Sequence, residues 1–180
     1  MRRPFASIAA GPDEVAAGVA GDDIVAAADV VMDRAFVVDA EPADVWPWLV
    51  QLGKGRAGWY LPRRVERLLP PGNRAARRIE PRWQQLQVGD VVPDYGGAHA
   101  TFELAVLDPP TTLVFRSQRG RVHLSWAITL TPLPTARTRV HLRLRLGPVK
   151  HVRLAETAGG LFDAATIAGM AAGLRERLRA

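Results

Sequence analysis

The chain has 180 residues, 48% of them hydrophobic, no cysteine, and a formal net charge of +6 from 24 basic and 18 acidic side chains. That length suits one domain that hides roughly 70% of its unfolded surface. The absent cysteines exclude a disulfide framework, a thiolate zinc site and a thiol nucleophile together. The charge is uneven: residues 1–53 hold three arginines and nine acids, and residues 54–180 hold 21 basic and nine acidic residues. Arginine supplies 22 of the 24 basic residues. In a chain this rich in Ala, Gly and Pro, such usage reads as compositional bias as much as selection for a polyanionic partner.

The opening "MRRPFASIAAGPDE" imitates the charged start of a signal peptide, but its apolar stretch is broken by Pro4 and ends at Gly11-Pro12. No run approaches the ~20 apolar residues of a membrane span, so the sequence reads as cytoplasmic. Residues 1–32 carry few large apolar groups and are expected to form an N-terminal arm, leaving 33–180 as a single domain. "RAFVVDA" (34–40) reads as a strand. "EPADVWPWLVQLG" (41–53) reads as a helix, with Pro42 suited to its first turn, Gly53 to its stop, and Pro47 expected to kink or delay it. A second helix is expected in "LPRRVERLL" (61–69), with Val65, Leu68 and Leu69 on its apolar side. "RWQQL" (82–86) suggests one helical turn.

From Val88 the period changes to two. "GDVVPDY", "ATFELAVLD", "TTLVFRSQ", "VHLSWAITLTPL" and "RTRVHLRLRLG" are separated by short turn-rich linkers, as an antiparallel meander requires. Val122, Leu124, Trp126, Ile128 and Leu130 share one face, and Val140, Leu142, Leu144 and Leu146 repeat it. Phe102 and Phe115 fall on the same side. The opposite face carries Arg137, Arg139, His141, Arg143 and Arg145. Such a sheet has one dry and one wet face. Residues 161–179 return to helical period, with Ile167, Met170, Leu174 and Leu178 as the stripe beside the small residues Ala165, Gly169 and Gly173. The order of strand, helices, meander and long terminal helix predicts an α+β fold whose curved sheet wraps its dry face around the last helix.

Several segments carry a resemblance: "AGDDIV" (20–25), "VVDAEPADVWPWLVQLGKGRAGWY" (37–60), "IEPRWQQLQVGDVVP" (79–93), "LSWAITLTPL" (124–133) and "TRVHLRLR" (138–145). With the element order, they resemble the START/Bet v 1 superfamily, also called SRPBCC, and within it a bacterial polyketide-cyclase-like subfamily. The resemblance implies a helix-grip fold with an apolar cavity between sheet and terminal helix. Members hold lipids, sterols, hormones or polyketides there, and some catalyse cyclisation or dehydration. Fold alone assigns none of these activities.

The glycines of "GKGRAGWY" (53–60) match the letters of a dinucleotide fingerprint, but that motif needs a strand before it and a helix after it. Here it follows a helix stop, so the glycines read as turn formers. Trp59 and Tyr60 admit two readings: rings packed in the core, or a cavity mouth with Arg56 anchoring an anionic or carbonyl-bearing ligand. "GDVVPDYGGAH" (89–99) gathers Asp90, Asp94, Tyr95 and His99 on a glycine-rich loop. The apolar wall is expected from Phe102, Leu124, Trp126, Leu144, Ile167 and Met170, with polar contacts from Arg56, Tyr60, Tyr95 and His99. An enzyme in the same cavity would move a proton through Tyr95 or His99 and stabilise an enolate with Arg56.

The arginine stripe reads as a solvated face, partly neutralised by the acidic first third or by Glu103. Its alternative is an RNA or membrane surface, disfavoured because no stacking aromatics interleave with the arginines. The histidines at 99, 123, 141 and 151 lack metal-ligand spacing, and no cofactor motif is present. The partner that the resemblance implies is a small hydrophobic molecule such as a lipid or polyketide, and nucleic acid is disfavoured.

Overall fold

The computed structural model describes residues 5–179. Six strands form one antiparallel sheet: β1 (Val30–Val38), β2 (Val91–Pro93), β3 (Thr101–Asp108), β4 (Thr112–Arg119), β5 (Val122–Leu133) and β6 (Arg137–Gly147). Their spatial order is β1-β6-β5-β4-β3-β2. The meander lies where the period-two alternation predicts it. The registers Trp126↔Leu144, Ile128↔Leu142 and Leu130↔Val140 set the apolar residues of β5 and β6 side by side on the concave face. The first strand is longer than its sequence suggests and begins at Val30, because β6 offers partners as far as Leu146.

Helix α1 (Pro12–Ala16) belongs to the N-terminal segment, and α2 (Pro42–Gln51) follows β1 and carries Pro47 within it. Next comes the single turn α3 (Arg63–Glu66), well short of the nine residues the sequence suggests. Its expected apolar side is turned outward, with Val65 37% and Leu68 85% exposed, while Glu66 is buried. The reason is ionic. Glu66 accepts hydrogen bonds from Arg77 Nη2 and Arg177 Nη2, each at 2.7 Å, and this pairing outweighs the burial of two aliphatic side chains.

The last helix, α5 (Gly160–Leu178), is entered through the short α4 (Val152–Leu154) and a wide turn over Ala155–Gly159. It lies in the concave face of the sheet. Ile167, Met170, Ala171 and Leu174 are buried in the main core with Phe36, Val45, Leu49, Ile128 and Leu142. Two glycines let the helix approach the preceding chain closely. A Cβ on Gly169 would meet Leu61 Cδ2 at 2.7 Å, and one on Gly173 would meet the Leu61 backbone nitrogen at 2.6 Å.

The convex face is not the solvated surface the arginine stripe suggests. Residues 9–26 cross it, and Arg143 is only 4% exposed. Its guanidinium donates to the carbonyls of Glu14, Val15 and Ala17 and to the carboxylates of Asp22 and Asp33. Arg139 pairs with Glu14 at 2.6 Å, and Arg145 donates to the Val25 and Ala26 carbonyls. The acidic first third is the counter-charge of the stripe, whereas Glu103 pairs instead with Arg116 at 2.5 Å. Among the described residues no helix is long and apolar enough to cross a membrane.

Candidate functional site

Between the concave face and the first half of α5 lies a cavity of about 420 Å³, within the usual range for small-molecule sites. Every strand contributes to its wall: Met32, Val92, Phe102, Phe115, Leu124, Trp126, Leu144 and Leu146 are among the lining side chains. The helix side supplies Phe162, Asp163, Thr166 and Ile167, and the loops add Lys54, Trp59, Asp94 and Tyr95.

Four aromatic rings form the centre of this wall. The Trp126 ring lies 6.0 Å from Trp59 and 5.8 Å from Phe115, with interplanar angles of 29° and 28°. Phe102 closes the group at 5.9 Å from Trp126 and 6.2 Å from Phe115. Alternation along β3, β4 and β5 turns three of these rings to one face. The register Phe115↔Trp126 makes two of them direct neighbours. Trp59 arrives from the loop after α2, and its indole N–H donates to the Thr166 carbonyl at 3.2 Å, which ties that loop to α5.

Polar groups stand at two places on the wall. Asp94 is ion-paired with Arg119, whose guanidinium carbon lies 5.3 Å from the Phe102 centroid, and Lys54 Nζ donates to the Asp94 carbonyl at 3.2 Å. The other place is Asp163 on α5, whose Oδ2 lies 3.0 Å from Arg34 Nε. Burial pushes the Asp163 carboxyl above the ordinary carboxylate range, and the neighbouring Arg34 only partly offsets this. Tyr95, 57% exposed, and Phe162, 72% exposed, line the wall where it meets solvent.

Of the residues singled out from the sequence, Trp59, Tyr95, Phe102, Leu124, Trp126, Leu144 and Ile167 line the cavity. Four do not. Tyr60 is fully buried away from it, where its hydroxyl donates to the Trp48 carbonyl at 2.7 Å and accepts from Gln51 Nε2 at 3.1 Å. Burial raises its pKa far above the ordinary phenol value. Arg56 donates to the Val50 and Trp83 carbonyls and lies 4.9 Å over the Trp83 ring, so its charge braces two loops. His99 is exposed on the loop before β3, and Met170 is buried in the core beyond the cavity. Asp163, Arg119, Lys54 and Met32 are wall residues that the sequence reading passed over. A signal for Asp163 existed: it precedes Ile167 by four residues, so the helical stripe extended one turn backward reaches it.

Similarity to solved structures falls on this architecture. A protein from Rhodobacter sphaeroides matches over 84% of this chain and 93% of its own, at 14% identity and a TM-score of 0.53. One from Arthrobacter aurescens matches over 82% and 87%, at 18% identity and 0.52. This is a helix-grip fold. DynU16, a protein of the dynemicin biosynthetic locus, matches over 83% of this chain and 47% of its own at 18% identity and 0.50. At such identities the likeness establishes the helix-grip fold and nothing finer. No protein-family profile and no curated protein matches the chain.

Proposed function

We propose that the protein binds a small hydrophobic or amphipathic molecule in the helix-grip cavity, in the manner of the SRPBCC superfamily it resembles. Residues 33–180, extended by Val30–Met32 at the start of β1, would form the binding unit, and the N-terminal arm would cover its outer face. The observation that carries this reading is the aromatic wall of Trp59, Trp126, Phe102 and Phe115 around a cavity of about 420 Å³. A core that served packing alone would close such a space, because interiors are packed as densely as organic crystals. That DynU16 belongs to a biosynthetic locus is consistent with a small-molecule role.

The cyclase- or dehydratase-like alternative retains Tyr95 among its three candidate residues, since His99 and Arg56 lie off the cavity wall. The surface-reader alternative has little to work with, because Arg139, Arg143 and Arg145 spend their donors on the N-terminal segment.

Titration with 2-methoxynaphthalene, followed through tryptophan fluorescence, tests the binding reading. Saturable quenching at one site per chain is expected, and Trp126→Ala should weaken it at least tenfold. Wild-type protein that shows no saturable change with this probe or with its free-hydroxyl counterpart, 2-naphthol, would overturn the reading.

A further inference from the structure

The Asp163–Arg34 pair is fixed from the arginine side. Arg34 Nη1 donates to the Asp33 carbonyl at 2.8 Å and Nη2 to the Gly160 carbonyl at 3.0 Å. Held this way, Arg34 Nε comes within 3.0 Å of Asp163 Oδ2 but is not aligned to donate to it, and both atoms are buried without a hydrogen-bond partner. Buried polar atoms nearly always have a partner, and among the described residues only these two and the Nε atoms of Arg56 and Arg119 lack one.

The neighbouring donors on α5 are already engaged. The Thr166 hydroxyl donates to the carbonyls of Phe162 and Asp163, and the Trp59 indole N–H is spent on the Thr166 carbonyl. Asp163 lines the mostly apolar cavity, and among the described residues the ion pair with Arg34 is the one polar contact of its carboxylate. A charged ligand is not called for, since Arg34 already balances Asp163. A neutral donor is.

Resting on the binding reading above, we infer that Asp163 selects the occupant: the cavity takes a flat conjugated molecule bearing a hydroxyl or N–H group, and that group donates to the Asp163 carboxylate. The stacked rings of Trp59, Trp126 and Phe115 make the wall aromatic, which suits a conjugated partner, and Asp163 fixes which edge of the ligand points toward β1. A ligand lacking the donor would desolvate the carboxylate without giving it a hydrogen bond, a loss that discriminates strongly against an analogue missing one polar group.

The test compares 2-naphthol with 2-methoxynaphthalene, which share the ring system and differ in the donor. Wild-type protein is expected to bind the naphthol at least tenfold more tightly. The double variant Asp163→Leu/Arg34→Met removes both charges together and so leaves no lone buried ion. It should bind the two probes within twofold of each other, with the ether affinity retained. Should that variant fail to fold by circular dichroism, Asp163→Asn provides the second comparison and should narrow the preference severalfold. Equal binding of both probes by wild type, or a preference that survives in the variants, overturns the role of Asp163 while the cavity reading stands. If wild type binds neither probe, the cavity reading itself falls and this inference falls with it.

Discussion

Gly173 and Leu61 stand in backbone contact: a methyl group on the glycine would lie 2.6 Å from the Leu61 nitrogen and 2.7 Å from the Tyr60 carbonyl carbon. The obstacle is main chain, which cannot swing aside. Gly173→Ala is therefore expected to cost about 1–3 kcal/mol, despite the better helix propensity of alanine. Gly72→Ala, where nothing lies within 4 Å of the added carbon, should be near neutral. Urea denaturation of both variants checks the contrast, and equal midpoints would refute it.

Arg177 is the second fastening of the same helix. Its side chain is fully removed from solvent, reaches Glu66 at 2.7 Å, donates to the Ala76, Leu61 and Gly173 carbonyls, and lies 4.4 Å over the Tyr60 ring. Arg177→Met leaves Glu66 with the partly exposed Arg77 and the Leu61 backbone N–H, and is expected to cost about 3–5 kcal/mol. Adding Glu66→Leu should return much of that loss, since the orphaned carboxylate disappears. A thermal-melt double-mutant cycle measures the coupling. Independent, additive losses would show that the pair does not act as a unit.

Glu14 ties the N-terminal arm to β6. Its hydrogen bonds from Arg139 hold its pKa down from the ordinary 4.5 to about 2, although burial opposes them. The folded chain thus takes up this proton less readily than the unfolded one. The stabilisation is complete above pH 4.5 and is lost as pH falls toward 2. At neutral pH Glu14→Gln should lower stability by about 1 kcal/mol, allowing for partial exposure of the pair. The gap between wild type and variant should close across that acid window. A gap that stays constant with pH would count against the assignment.

Arg143 belongs to structure and not to a binding surface. Arg143→Leu removes the guanidinium that Asp33, Asp22 and three carbonyls share, and is expected to cost about 3–5 kcal/mol. Arg121→Leu, on the exposed end of the same sheet, should stay within about 0.5 kcal/mol of wild type. Circular dichroism melts discriminate the two. An Arg143→Leu protein as stable as wild type would reopen the convex face as a candidate surface.

The sheet was legible because its signal is local: alternation along β5 and β6 marks both faces, and register follows from pairing apolar with apolar. The wall residues Phe102, Leu124, Trp126 and Leu144 came with it. Polar assignments failed where a long-range partner decided the outcome. Nothing near Glu66 in the chain shows that Arg177, 111 residues later, will draw it inward and expose Leu68. Of the two readings of Tyr60 the core one holds, and neither Tyr60 nor Arg56 reaches the cavity, because their satisfying groups, the Trp48 and Trp83 carbonyls, are backbone atoms that leave no trace in composition. Asp163 was overlooked for the converse reason: an acid in an apolar helical stripe reads as solvated until the sheet is seen to close over it.

The Gly173–Leu61 contact also determines where the pocket can yield. With main chain against main chain at that level and Arg177 donating to the Ala76 and Leu61 carbonyls, the far half of α5 is fastened to the chain around Leu61. Any accommodation falls to the other end, where the wide turn at Ala155–Gly159 leads into Phe162 and Asp163 on the pocket wall. On the binding reading proposed above, the fastened half of α5 holds the fold, and the residues from the wide turn to Asp163 are where the wall could differ between ligands.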